Sequence, residues 1–366
     1  MSIHVPTRIG VLTGGGDAPG LNAVIRGVVK AATQLGWEVL GFEKGYEGLM
    51  PPARYRVLDN ENTKGILHLG GTILGTVNRG RFTAKVGEGQ ERQIEPALLE
   101  AAHATCESLH LRGLICIGGD GTLSIAQQLY ERDVPVVGVP KTIDNDLECT
   151  VITFGFDSAV ACATEALDRL HTTAASHERV IVLEVMGRHT GWIAVHAGVA
   201  GGADVILIPE IAWDLDGVVR KIRQREAAGR PFTLVVAAEG ARWPDGGLVA
   251  RATGASAIGE IQLGGIGQRV AEEIQARTGK ETRCVVLGHL QRGGPPTTFD
   301  RLLATRFGVN AVRLIAEGRF GRMVCHHPPD AVDVPIAQAI NRLRTVPPDG
   351  DLIRTARALG ISFGDG

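Results

Sequence analysis

The stretch Leu114-Ile115-Cys116-Ile117-Gly118-Gly119-Asp120-Gly121-Thr122 runs from four apolar residues straight into a turn rich in glycine and aspartate. The same arrangement recurs three times. Ile9 to Leu12 leads into Gly14-Gly15-Gly16-Asp17, and Val134 to Val139 leads into Lys141-Thr142-Ile143-Asp144-Asn145-Asp146. Cys284 to Leu287 leads into Gly288-His289-Leu290-Gln291-Arg292-Gly293-Gly294. Short β-branched apolar runs read as buried parallel strands, so the polar segments belong along one carboxyl edge of a sheet, where open α/β sheets bind ligands. Glycines let backbone N–H groups approach phosphate oxygens, and aspartates hold Mg2+ or take a proton. The chemistry indicated is phosphoryl transfer. A single Gly-Gly-Asp reads equally as an ordinary turn. Four such segments, with two carboxylate clusters among them, do not read as packing.

Outward from these segments, strand and helix patterns alternate, which predicts mainly parallel sheets covered by helices. After the first glycine turn, Leu21, Val24, Ile25, Val28, Val29, Ala32 and Leu35 recur at helical spacing, and the N-terminal end of that helix favours an anion. One strand series comprises Ile9–Leu12, Val39–Phe42, Leu114–Ile117 and Val134–Val139, and a second comprises Val180–Val185, Val205–Ile208, Leu234–Ala238 and Cys284–Leu287. Helices are expected at Leu123–Glu131, Ser158–Thr172, Asp216–Ala228, Ile266–Thr278 and Phe299–Glu317. The expected fold is α/β in two lobes, each a mainly parallel sheet covered by helices, with the active site in the cleft between them. Ala241–Ala257, with Trp243-Pro244-Asp245-Gly246-Gly247, reads as a surface excursion. His326-His327-Pro328-Pro329 reads as a solvated loop rather than a metal site, followed by a helix around Pro335–Leu343.

A chain of 366 residues is long enough for a sizeable core and for two domains. A net charge of −2 gives no electrostatic reason to expect nucleic acid or an anionic membrane as partner. The 49 glycines show no collagen-like period and fall in turns after strands. None of the six cysteines forms a Cys-x-x-Cys pair, so buried reduced thiols are expected. Met1–Thr7 lacks the apolar core of a signal peptide, and no run approaches the roughly 18 apolar residues of a membrane span. A cytoplasmic protein is the expectation.

From residue 9 to about residue 320 the chain resembles the phosphofructokinase family. The resemblance is carried by Thr13 to Asn22, Gly70-Gly71-Thr72, Pro140 to Asp146, Glu184-Val185-Met186-Gly187-Arg188 and Leu287 to Gly294. It implies a donor lobe of residues 1–155 with about 290–335, and a sugar-phosphate lobe of 156–289 with about 336–366. It also implies ATP-dependent phosphorylation of the 1-hydroxyl of fructose 6-phosphate, with Mg2+, in a homotetramer or homodimer whose active sites are shared. The Gly-Gly-Asp-Gly-Thr motif occurs in NAD kinase and lipid kinase relatives too, but Met186-Gly187-Arg188 and His289-Leu290-Gln291-Arg292 argue against those.

Residue by residue, the resemblance makes Asp144 the general base, with Thr142 and Asp146 beside it, and Arg188 the cation that offsets charge on the transferring group. Asp120 is the Mg2+ carboxylate. Gly15, Gly16, Gly119, Gly121, Thr122 and Lys141 line the donor phosphates, together with Arg79 or its neighbour Asn78. Arg179, Arg283, His289 and Arg292 take the 6-phosphate, the first two reaching in from a neighbouring subunit, while Glu239, Met186 and Gly187 hold the sugar hydroxyls. Pyrophosphate-dependent members generally carry Asp at the position of Gly121 and Lys at that of Lys141, whereas classical bacterial ATP-dependent members carry Gly at both. Exclusion by clash and like charge outweighs the attraction of one lysine, so ATP is the expected donor and pyrophosphate the alternative. A third reading, a silent regulatory subunit, requires loss of the base or the metal carboxylate, and Asp144 and Asp120 are both present. The effector positions match in part: Arg26 and Lys30 are there, but Asn60 and His171 stand where regulated bacterial members have arginine.

Overall fold

The computed structural model describes residues 6–77, 80–82, 93–244, 246–247 and 264–366. Among them are eleven strands: β1 (Arg8–Thr13), β2 (Glu38–Phe42), β3 (Tyr55–Leu58), β4 (Leu111–Gly118), β5 (Val136–Pro140), β6 (Val180–Val185), β7 (Val205–Leu207), β8 (Thr233–Ala238), β9 (Thr282–Val286), β10 (Arg322–His327) and β11 (Asp330–Pro335). The α-helices are α1 (Leu21–Gln34), α2 (Pro96–Ser108), α3 (Asp120–Tyr130), α4 (Phe156–His177), α5 (Trp192–Ala200), α6 (Leu215–Ala227), α7 (Ile266–Thr278), α8 (Thr298–Ala316), α9 (Ile336–Ala339) and α10 (Asp351–Ala358).

The chain divides into two compact units. The first holds residues 1–143, 147–158 and 292–343, and the second holds 144–146, 159–291 and 344–366. The Lys141–Asp146 segment is therefore split, its last three residues counting with the second unit.

In the first unit seven strands lie in the order β11-β10-β5-β4-β1-β2-β3, parallel from β10 through β2. Antiparallel β3 and β11 close the two edges. Side chains alternate across the sheet as the two-residue period requires. Ile115 and Ile117 pack with Val24, Val28 and Phe307 on one face, while Leu114 and Cys116 pack with Leu99, Leu123 and Ala126 on the other. Each such fully buried aliphatic side chain contributes about 1.5–3 kcal/mol. Helix α8 starts where Thr297 Oγ1 accepts from Asp300 N at 3.2 Å, an N-cap hydrogen bond.

In the second unit four strands, all parallel, take the order β7-β8-β6-β9. Val180, Val182, Val235 and Ala237 face Val218, Ile222, Val270 and Ile274 of α6 and α7. Glu184, on β6, is 2% exposed, and both its carboxylate oxygens accept from the N–H groups at the start of α7. A carboxylate there satisfies donors the helix cannot, and meets the positive end of its dipole.

Two expectations change. His326 and His327 are not a solvated loop but the end of β10, and only Pro328-Pro329 forms the turn into β11. His326 is 8% exposed, with the ring of Phe299 edge-on to it at 6.4 Å. The helix expected over Pro335–Leu343 shortens to Ile336–Ala339. The start of the expected excursion is anchored: Trp243 is buried edge-on against Trp213 at 5.5 Å, and the Arg269 guanidinium stacks on it at 3.8 Å. Residues 245 and 248–263 lie outside the described residues. All six cysteines are free thiols, and burial pushes Cys106, Cys116, Cys284 and Cys325 up to about 12. Among the described residues no helix is long and apolar enough to cross a membrane.

Candidate active site

In the first unit two glycine turns converge on one threonine. Thr122, in the first turn of α3, lies so close that a Cβ on Gly14 would sit 2.6 Å from its Oγ1, and one on Gly118 would sit 2.3 Å from its Cβ. No residue larger than glycine fits at either position. Gly119 is the N-cap of α3, and Asp120 and Gly121 open the helix, so backbone N–H groups without helical acceptors are concentrated here. Asp120 Oδ1 accepts from the N–H of Asn341 at 2.8 Å. Its other oxygen, Oδ2, is buried and has no hydrogen-bond partner among the described residues. Burial pushes the Asp120 carboxyl above the usual range, against the pull of the Asn341 hydrogen bond. A buried carboxylate oxygen with no donor suits a cation, and Mg2+ uses one or two protein carboxylates while keeping its waters.

Lys141 is 3% exposed, and its ammonium donates to the carbonyl of Gly16. A Cβ built on Gly15 would lie 3.7 Å from Lys141 Nζ and 3.6 Å from Thr122 Oγ1. The lysine expected at the donor phosphates is thus at the first glycine turn, with Gly15, Gly16 and Thr122 around it. Arg292 is there too: Nη1 donates to the carbonyl of Asp17 at 3.2 Å and would lie 2.9 Å from a Cβ on Gly16. Thr142 is 9% exposed, and its carbonyl accepts from Thr153 Oγ1 at 2.8 Å. Asn78 and Arg79 lie outside the described residues.

In the second unit Asp144 is 7% exposed and Asn145 is 3% exposed with a φ of 53°, while Asp146 is half-buried. The turn Met186-Gly187-Arg188 is pinned at both ends. Met186 N donates to Gln291 Oε1 at 2.8 Å, and Arg188 N donates to Glu239 Oε1 at 3.1 Å. Gly187, with a φ of 146°, leaves only 2.4 Å between a built Cβ and the carbonyl of Thr190, so a side chain is excluded. Arg179 and Arg283 are joined by Glu281, which lies 2.7 Å from Arg179 Nε and 2.6 Å from Arg283 Nη2. The hydrogen bond from Arg179, then the charges of Arg179 and Arg283, hold Glu281 below the usual carboxylate range. Arg188, Arg283 and His289 are exposed.

Sequence reasoning missed four residues that order these segments: Thr190, Glu281, Gln291 and Arg344. Gln291 lies inside a quoted motif and Thr190 two positions after another. Arg344 carries no local signal.

Glycine turns, one of them at a helix N-terminus beside a buried carboxylate oxygen without a hydrogen-bond partner among the described residues, suit the binding of phosphate groups, as a phosphotransferase acting on a hydroxyl acceptor requires. A family model described as phosphofructokinase matches residues 8–315. The chain belongs to the phosphofructokinase family. It is 55% identical over 358 residues to a Chloroflexus aggregans protein named ATP-dependent 6-phosphofructokinase, covering 98% of each chain. It is 50% identical over 345 residues to the pyrophosphate–fructose 6-phosphate 1-phosphotransferase of Amycolatopsis methanolica, covering 93% of this chain and 97% of that protein. The crystal structure of Pichia pastoris phosphofructokinase matches with a TM-score of 0.79 at 31% identity, covering 92% of this chain and 36% of that longer one.

Proposed function

We propose that this protein is an ATP-dependent 6-phosphofructokinase of the cytoplasm. It transfers the γ-phosphoryl group of ATP to the 1-hydroxyl of D-fructose 6-phosphate, giving fructose 1,6-bisphosphate and ADP. The observation that supports the reading lies in the first unit, where Asp120 and Lys141 stand beside two turns in which Gly14 and Gly118 leave no room for a side chain. Asp144 accepts the proton as the sugar oxygen attacks phosphorus, and the bond to the leaving ADP oxygen breaks with its electron pair. Thr142 and Asp146 flank the base, and Arg188 offsets the charge that develops on the transferring group. Asp120 would hold Mg2+, which, when bound, neutralises phosphate charge. Gly15, Gly16, Gly119, Gly121, Thr122 and Lys141, with Asn78 or Arg79, line the donor.

Glu239, Met186 and Gly187 take the sugar hydroxyls, and Arg179, Arg283, His289 and Arg292 take its phosphate, for which converging guanidinium groups are well suited. The protein acts as a homo-oligomer in which Arg179 and Arg283 serve a neighbouring subunit's site. The bridge through Glu281 supports their pairing, since it holds both guanidinium groups against one anion.

A second reading, pyrophosphate as donor, is favoured by Lys141 and by the Amycolatopsis methanolica relative. Gly121 stands against it. One assay separates the two: fructose 6-phosphate with saturating Mg2+, offered ATP or pyrophosphate. Turnover with ATP is expected; turnover with neither donor overturns both readings.

A further inference from the structure

We propose that Arg344, in the C-terminal tail, is a positioning residue for the Asp144 base, an inference that rests on the reading of Asp144 given above. Three successive carbonyls in the base segment are each held from within the second unit. The carbonyl of Asp144 accepts from Thr190 Oγ1 at 3.2 Å. That of Asn145 accepts from Arg344 Nη1 at 3.1 Å, and that of Asp146 accepts from the backbone N–H of Arg344 at 3.0 Å. One residue thus holds two of the three.

The segment needs such a hold. Asn145 has a φ of 53°, a left-handed conformation that is uncommon outside glycine, though asparagine adopts it more readily than most residues. The tripeptide, with Asp144 and Asn145 buried and Asp146 half-buried, lies outside every strand and helix, so no ladder satisfies its carbonyls.

Arg344 is fixed in turn. Its carbonyl accepts from Trp192 Nε1 at 2.9 Å, and its guanidinium lies 4.3 Å from the centre of the Trp192 ring. Two residues on, Val346 N donates to Glu210 Oε1 at 2.9 Å, the same oxygen that accepts from Gly191 N at 3.0 Å just before α5. The tail is therefore fastened to the start of α5, and the base segment is fastened to the tail. Arg344 supplies no proton and needs no contact with substrate. It sets where the carboxylate two residues before Asp146 stands.

Arg344→Met keeps an apolar stem for Trp192 and removes the side-chain donors; Arg344→Lys keeps the charge and one donor. Because a displacement of about 1 Å at a reacting group costs roughly 10²-fold, Arg344→Met should lower kcat by about 10–100-fold. The KM for each substrate should stay within about twofold, since only transition-state geometry is lost. Arg344→Lys should recover part of kcat, and it decides the matter should the Met variant fail to fold. In the Asp144→Asn background, Arg344→Met should add almost nothing, because the group it positions is already gone. Unchanged kcat with a lowered Tm, or full additivity with Asp144→Asn, overturns the proposal. Wild-type turnover in Asp144→Asn alone overturns the base reading instead.

Discussion

Asp120 accepts the Asn341 N–H with one carboxylate oxygen, at 2.8 Å, and keeps its other oxygen buried without a hydrogen-bond partner among the described residues. In the proposed metal site a proton and a cation compete for that atom, and burial favours the proton by raising this carboxyl above the ordinary range. The anion needed for Mg2+ is lost as pH falls through that raised value. Raising Mg2+ should move the acid limb of kcat/KM to lower pH. Asp120→Asn should increase the Mg2+ concentration needed for half-maximal rate and abolish that movement. An unchanged Mg2+ requirement in the variant would remove Asp120 from the metal site.

Asp144→Ser should lower kcat by at least about 10²–10⁴ while barely changing the KM for fructose 6-phosphate, because a general base acts on the transition state. Steady-state kinetics at saturating donor provide the check. A variant with half of wild-type turnover would exclude the role.

Strands β1, β4 and β5, which lead into three of the four polar segments, were legible because they are buried on both faces and so read as unbroken apolar runs. The outer strands β3, β10 and β11 of the first sheet were not. β3 is only four residues long, Tyr55–Leu58, with Leu58 alone buried, too short for an alternating pattern to stand out. β10 ends in two histidines, and only the finished sheet shows that one of them is buried. In the candidate site, the segments that hold Asp120 and Asp144 were legible from their place after strands, while the roles proposed for the two residues come from the family resemblance. Arg344 was not, since it reaches the Asn145 carbonyl across 199 positions and nothing local marks it. Arg292 was expected at the sugar phosphate, and its guanidinium rests on the Asp17 carbonyl at the first glycine turn.

Arg179 and Arg283, paired on Glu281, should act across a subunit boundary. Mixing an Arg179→Ala chain with an Asp144→Ser chain should restore part of the lost activity, because some sites in the mixed oligomer regain both groups. Verified mixed oligomers without any recovered activity would show that each subunit completes its own phosphate site.

Asp300 gives a pH signature in stability rather than rate. It is fully buried, and burial pushes its carboxyl up to about 6, against the hydrogen bonds from Ser158 N and Oγ at 2.8 and 2.6 Å. The unfolded value is about 3.9. Between the two the folded chain binds more protons, so the contribution of Asp300 is fully present below about pH 4 and is lost as pH rises to about 6, on the order of 2–3 kcal/mol. Asp300→Asn keeps an acceptor for Ser158 and cannot ionise. The Tm of the variant relative to wild type should therefore rise across that window. A flat difference would mean that Asp300 stays ionised throughout.

The donor gives the most discriminating test. Gly121 opens α3 beside Asp120 and brings no side chain to the donor, while Lys141 brings its ammonium to the Gly16 carbonyl. Gly121→Asp adds a carboxylate where the α-phosphate of a nucleotide is expected, combining a clash with a like charge that costs several kcal/mol, so kcat/KM for ATP should fall by about 10²-fold or more. Pyrophosphate has no such phosphate to exclude, and Lys141 is already present to meet it. The variant should therefore gain measurable pyrophosphate turnover as it loses ATP turnover. Lys141→Met should erase that gain, because the remaining attraction for a small, highly charged donor goes with the ammonium. The argument fails at its first step if wild type turns over pyrophosphate faster than ATP at saturating Mg2+. It fails at its second if Gly121→Asp leaves ATP kinetics unchanged, for the glycine would then serve the turn and not the choice of donor.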